Sequence, residues 1–345
     1  MKPILTLFSM LFFLASCKTD LVYITVKNPA PVTISPSIRS VALINRAIPS
    51  EENKTLNTIH QVTTGQSKEL IKEASAECIK GLKDQLIHYK KFDTIKTIND
   101  ADLNTPSIGF FPSPLSWAEV EKIALKNDVD LLFVLELFDT DIKVVPLSAP
   151  PKINNPLDII NTVVNAQANI TTTVKTGWRV YDVRNKRVLD QFPLTDNLTI
   201  TANVTTIVNT TEAIMNRKEA IKQSSYNLGN YYVDRILPHY AKVTRDYYVK
   251  GNGNFKIAKR KAQTGNWESA GELWKKETLN SKRKIAGRAH YNMAILSEIN
   301  GDLDAAIDWA QKSYENYNNK LGLQYVNNLR FRKKELERLQ YQEGK

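Results

Sequence analysis

The sequence predicts an α+β protein: an N-terminal α/β sandwich on a mixed sheet in the order β-α-β-α-β-β-β-α, followed by an all-α region of helical hairpins. Three patterns carry this. Apolar strand-like runs alternate with amphipathic helical stretches from Ile38 to Phe138. Two long segments, Thr162 to Val174 and Leu198 to Val204, alternate apolar and polar residues on either side of a turn. Gly265-Asn266-Trp267-Glu268-Ser269-Ala270 recurs 36 residues later as Gly301-Asp302-Leu303-Asp304-Ala305-Ala306. The predicted layout is 1–16 signal peptide, 17–37 tether, 38–250 α/β domain and 251–345 hairpin repeats.

At the N-terminus, Lys2 precedes an apolar run from Ile4 to Leu14 that is too short to span a bilayer, which takes roughly 17 to 25 residues. The run closes on Leu14-Ala15-Ser16-Cys17, which resembles a bacterial lipobox. That resemblance implies cleavage before Cys17 and lipidation of Cys17. It implies a membrane partner reached through lipid chains and an outer-membrane location facing either the periplasm or the cell surface. With Cys17 lipidated, Cys78 is the other of the chain's two cysteines, so no intramolecular disulfide is expected.

Lys18 to Pro36 reads as a tether, because Pro29, Pro31 and Pro36 oppose helix. Ile38 to Ala47 follows as a strand and Gln66 to Tyr89 as a long helix. Ile71, Ala74, Cys78, Leu82 and Leu86 share one stripe of that helix, so Cys78 is expected as a buried thiol. Phe92 to Ile98 is the second strand. Ser116 with Glu119 forms a capping box, and Leu115 with Val120 a hydrophobic staple, so a helix starts there and runs to about Lys126. Leu131 to Phe138, apolar except for Glu136, predicts a strand covered on both faces at the sheet's centre.

Beyond the prolines at 146, 150, 151 and 156, the two alternating segments form a hairpin around Arg184-Asn185-Lys186. Gly177 and Pro193 lie at similar distances from that turn and are expected to bend or break it at one level. Thr211 to Leu237 is a long helix that ends or kinks at Pro238. This element order, with Val41-Ala42-Leu43 as first strand and Asp182 to Leu189 as a late hairpin, resembles the periplasmic domain of curli-secretion-type pore lipoproteins and of the lipoprotein activators of penicillin-binding proteins.

Gly251-Asn252-Gly253-Asn254 reads as an interdomain hinge. The 36-residue recurrence after it resembles the tetratricopeptide repeat, whose glycine ends the first helix and whose alanines let the second pack closely. Under that resemblance Ala258 and Ala294 take the small position of the first helix and Ala270 and Ala306 that of the second. Trp274 and Ala310 take the next inward site, and Gly265 and Gly301 the turns. Glu277 stands where a small residue is usual. Tyr325 to Tyr341 is a capping helix. The whole layout resembles Bacteroidota lipoproteins that join a curli-secretion-like domain to tetratricopeptide repeats.

The formal charge is +11, and removing residues 1–16 takes away Lys2 alone, leaving +10. Such a charge suits anionic lipid or acidic partners, and an envelope address excludes nucleic acid. The runs Lys282-Arg283-Lys284 and Arg330 to Lys334 read as solvated helix faces. His60, His88, His239 and His290 have no partner at metal-ligand spacing, so no metal or other cofactor is expected. No nucleophile motif or phosphate loop occurs. Asp128 with Asp130 and Asp139 with Asp141 are carboxylate pairs, read as turn and edge residues of a strand. Asn169, Asn197, Asn203 and Asn209 begin N-x-T sequences and read as polar strand residues.

The expected function is therefore a non-enzymatic scaffold that holds envelope proteins or peptides through its repeats, with oligomer formation open. A pore or secretion-channel subunit built from the long hairpin is the alternative. A hydrolase of peptidoglycan or polysaccharide, using the Asp139 and Asp141 pair, is the third.

Overall fold

The structure, a computed structural model, describes residues 18–48, 68–99, 103, 110–146, 166–204 and 207–344. Cys17 and His60 lie outside the described residues, as does the whole signal segment. The elements are β1 (Thr19–Asn28), β2 (Ser40–Asn45), α1 (Lys68–Tyr89), β3 (Thr94–Ile98), α2 (Trp117–Asn127), β4 (Leu131–Pro146), β5 (Ala166–Asp182), β6 (Arg187–Val204), α3 (Ile207–Ile236) and β7 (His239–Tyr248). Five helices follow: α4 (Gly253–Gln263), α5 (Trp267–Glu277), α6 (Arg283–Ile299), α7 (Leu303–Glu315) and α8 (Lys320–Glu343).

The chain forms two compact units. One, spanning Ala30–Pro238 with the last few residues, is the α/β sandwich. Its sheet runs β3-β2-β4-β5-β6, with β2 parallel to β3 and β4, and β4, β5 and β6 antiparallel. The strand Leu131–Phe138 is apolar on both faces because both are covered. Leu131, Phe133 and Leu135 pack with Ile71, Cys78 and Leu82 of α1 and Leu228 and Tyr232 of α3. Leu132 and Val134 pack on the opposite face with Val120, Ile123 and Ala124 of α2. Ser116 caps α2 with the full capping box, and Asp128 ends it in the left-handed region, at φ 52°.

The β5–β6 hairpin is neither broken nor bent out of register at Gly177 and Pro193, which pair directly in one continuous ladder from Ala166–Val204 to Asp182–Arg187. Irregularity falls instead at Val180/Tyr181 and, on the β4 side, between Leu135 and Leu137. Gly177 has a different task. A Cβ there would lie 2.6 Å from the ring of Phe111 and 2.8 Å from Leu137 Cβ, so it leaves room for side chains rather than ending a strand.

The other unit joins β1 and β7 to the five helices. Thr19–Asn28, read from the sequence as tether, is a strand fully paired antiparallel with His239–Tyr248. Its alternation of Val22, Ile24 and Val26 is strand-like, and the prolines all lie beyond it. The supposed hinge is likewise part of this unit: Asn252 caps α4 by accepting from Phe255 N at 3.3 Å.

Candidate functional site

The helical hairpins are built by local chemistry that the two halves share. At the end of α4, Gly265 N donates to Ala262 O and Asn266 N to Lys261 O; at the end of α6, Gly301 N donates to Glu298 O and Asp302 N to Ser297 O. Both glycines sit at positive φ, +80° and +81°, the geometry of a Schellman stop. A Cβ at either would meet nothing within 4 Å, so backbone conformation and not crowding selects glycine. The next residues start the following helices: Asn266 accepts from Ser269 N and Asp302 from Ala305 N.

Ala258, Ala270, Trp274, Ala294, Ala306 and Ala310 are all fully buried in one core. The α7–α8 crossing is close there, since a Cβ at Gly322 would come within 2.8 Å of Ala310 O. Glu277 forms a polar lock, its two carboxylate oxygens accepting from Asn254 Nδ2 at 2.5 Å and Asn280 Nδ2 at 2.6 Å.

The face formed by the first helices of the hairpins, α4 and α6, and by α8 is not open. The β1–β7 ribbon lies across it. Asn292 of α6 clamps the backbone of Tyr248, its Oδ1 accepting from Tyr248 N and its Nδ2 donating to Tyr248 O, each at 2.7 Å. Tyr247 packs edge-on against Trp267 and Trp274, and Tyr248 against Tyr291. Arg245 makes a two-pronged pair with Glu298, at 2.8 Å to each oxygen. Glu298 is 1% exposed and also accepts from Tyr325 Oη and Arg332. Burial raises the Glu298 carboxyl's pKa, but the hydrogen bonds from Arg245 and Tyr325 and the two guanidinium charges outweigh it and hold it below the usual range. Burial beside that charge pushes the Tyr325 hydroxyl far up.

Among the buried carboxylates of the sandwich are Glu136 and Asp190, each held by arginine and tyrosine. Glu136, at the β4 irregularity, accepts from Arg46 at 2.9 Å, Arg179 at 2.8 Å and Tyr181 Oη at 2.7 Å. Burial, with the Glu136 charge second, raises the Tyr181 hydroxyl to about 12. Asp190 receives both prongs of Arg235 and the Tyr232 hydroxyl at 2.9 Å, while Tyr232 stacks on Trp178. Each of these carboxylates is engaged by arginine and by a tyrosine hydroxyl. The signals in sequence were single polar residues in apolar runs, without a spacing that links them.

The sequence candidates are placed as follows. Asp130 bonds Ser40 at 2.9 Å and Arg184 at 2.7 Å, while Asp128 caps α2. Asp139 and Asp141 fall inside β4 opposite Lys175 and Thr173, not at its edge. Cys78 is buried, and burial pushes its thiol pKa up. His290 is buried against Trp309 and Tyr317. Among the described residues, no cluster of three potential metal ligands exists. No described helix is long and apolar enough to cross a membrane. Asn197 bonds Thr173 at 2.8 Å across the hairpin.

Fold and site together define a two-unit α+β protein, with a sandwich and a helical-hairpin unit that carries its own strand ribbon. The chain belongs to the family described as Domain of unknown function (DUF8603), whose model matches residues 38–248, more than half of its length. A second model, Domain of unknown function (DUF6340), matches residues 256–337. No curated protein matches the chain. Solved structures similar to part of it include a PelC dodecamer from Paraburkholderia phytofirmans, 8% identical, covering 63% of this chain and 99% of that one at a TM-score of 0.25. Rare lipoprotein B from Shewanella oneidensis is 13% identical, with 56% and 94% covered and a TM-score of 0.26. A neuraminyllactose-binding hemagglutinin homolog from Helicobacter pylori is 10% identical, with 59% and 85% covered and a TM-score of 0.26.

Proposed function

We propose that the protein is a non-enzymatic scaffold of the cell envelope, anchored by lipid on Cys17 in the outer membrane, with a tetratricopeptide-like unit that holds a protein partner. The observation that carries the scaffold reading is the chemistry of the buried charges. Glu136, Asp190 and Glu298 each accept hydrogen bonds from arginine and tyrosine inside the protein, so their charge is spent on packing. The anchor rests on Leu14-Ala15-Ser16-Cys17; each buried methylene of an attached chain stabilises attachment by about 0.8 kcal/mol, so two or three chains hold durably.

Because the ribbon covers the inner face of the hairpins, we assign the partner to the exposed side of α8. Leu323 is 41% exposed there and Phe331 67%. Affinity capture from solubilised envelopes tests this, comparing the unaltered chain with Phe331→Glu. The same proteins retained at the same yield by both would remove the repeats from partner binding.

The length of the β5–β6 hairpin favours a second reading, a pore subunit. Its free face is polar, however, with Thr171, Thr173, Asn197 and Thr199 joined across the strands by side-chain hydrogen bonds, where a barrel strand presents an apolar band.

A further inference from the structure

The run Lys282-Arg283-Lys284, which reads as a solvated helix face, opens onto a cleft of about 450 Å3 within the helical-hairpin unit. Five cationic residues line it, Lys18, Arg283, Lys284, Arg288 and Lys320, and no acidic residue does. Among the described residues none of the five is ion-paired. Both guanidinium groups are instead fixed by backbone carbonyls: Arg283 donates to Asn316 O, and Arg288 donates to Lys250 O at 2.5 Å while lying 5.0 Å over the Tyr248 ring. Carbonyls orient these groups without neutralising them. The N-terminus of α6 adds its own positive end at the same place, since Lys282 caps it with no side-chain hydrogen bond. Five like charges around one concavity repel one another, and a bound anion relieves that repulsion.

We propose that this cleft binds a phosphate group. A single carboxylate neutralises one charge, whereas a phosphomonoester brings up to two charges and several acceptor oxygens, which suits two oriented arginines flanked by lysines. The volume is that of an ordinary small-ligand pocket. The phosphate is carried either by a lipid headgroup or by a soluble ion. The inference stands whether or not Cys17 is lipidated.

The test is calorimetric titration of the full chain in a non-ionic detergent with three probes: dihexanoyl phosphatidic acid, dihexanoyl phosphatidylcholine and inorganic phosphate. Phosphatidic acid is expected to bind and phosphatidylcholine not. Arg283→Glu with Lys284→Glu is expected to weaken binding by at least about tenfold, and Lys275→Glu with Lys276→Glu, on the exposed side of α5, by less than about twofold. Phosphatidic acid tighter than inorganic phosphate assigns a lipid source, and equal affinity a soluble one. Absence of binding by both anionic probes overturns the proposal. So does equal weakening by the two double substitutions, or phosphatidylcholine binding as well as phosphatidic acid.

Discussion

The Cys78 carbonyl faces Gly229 across the α1–α3 crossing so closely that a Cβ at position 229 would lie 2.0 Å from the oxygen. The relation is reciprocal one turn along, where a Cβ at Gly81 would lie 2.1 Å from Tyr226 O. Two long helices thus touch backbone to backbone over the sheet, which draws Leu82, Leu228 and Tyr232 into one core.

Gly229→Ala is therefore expected to push the helices apart and cost about 3 kcal/mol in chemical denaturation, at the upper end for an overpacked core. The Cys78 thiol, buried and inert in the native chain, becomes reactive to a thiol reagent in the same variant. Gly301→Ala makes the contrasting case. Its site has open space, so the cost is the conformational penalty of the left-handed region alone, about 1 to 2 kcal/mol, with no change in Cys78 reactivity.

Removing one partner of a buried pair leaves the other charge stranded. Arg179→Met is expected to destabilise by about 3 to 5 kcal/mol, because Glu136 at 0% exposure keeps only Arg46 and Tyr181. Adding Glu136→Gln in the double variant restores part of that loss, as thermal unfolding of the three proteins will read.

Two buried groups contribute to the acid response in separate windows. Burial lowers the His290 pKa, so the unfolded chain binds more protons as pH falls below about 6.5, and stability starts to decline there. Glu298 has a depressed carboxyl pKa, so its contribution is complete above the unfolded value of about 4.3 and is lost as pH falls through the lower folded value. Denaturant midpoints from pH 3 to 8 should show both declines. His290→Phe is expected to flatten the first and Glu298→Gln the second.

The sequence showed what local rules determine. The capping box at Ser116 and Glu119, the Gly265 and Gly301 stops and the apolar run Leu131 to Phe138 each depend on residues within a turn or a strand of one another. The β1–β7 ribbon does not, since Thr19 pairs with Tyr248 more than two hundred positions away, and Thr19–Asn28 read alone passes for part of a tether. Asn292 in a helix and Glu136 in a strand look like interruptions until the structure shows what they bind. Gly177 was visible as a special residue, but its reason, the ring of Phe111, lies in another segment.

Asn292 is expected to hold the ribbon on the helices. Asn292→Leu keeps the volume and leaves Tyr248 N and O unpartnered, at a cost of about 1 to 3 kcal/mol. Amide exchange at Tyr248 should accelerate well beyond that of the sheet in the sandwich.

In-cell photo-cross-linking from position 331 tests the scaffold role most directly. With a photoreactive residue replacing Phe331, a discrete protein adduct that sediments with the envelope is predicted, and the same residue at Lys175 on the hairpin should give none of that mass. No adduct from position 331, or the same adduct from both positions, would contradict the account.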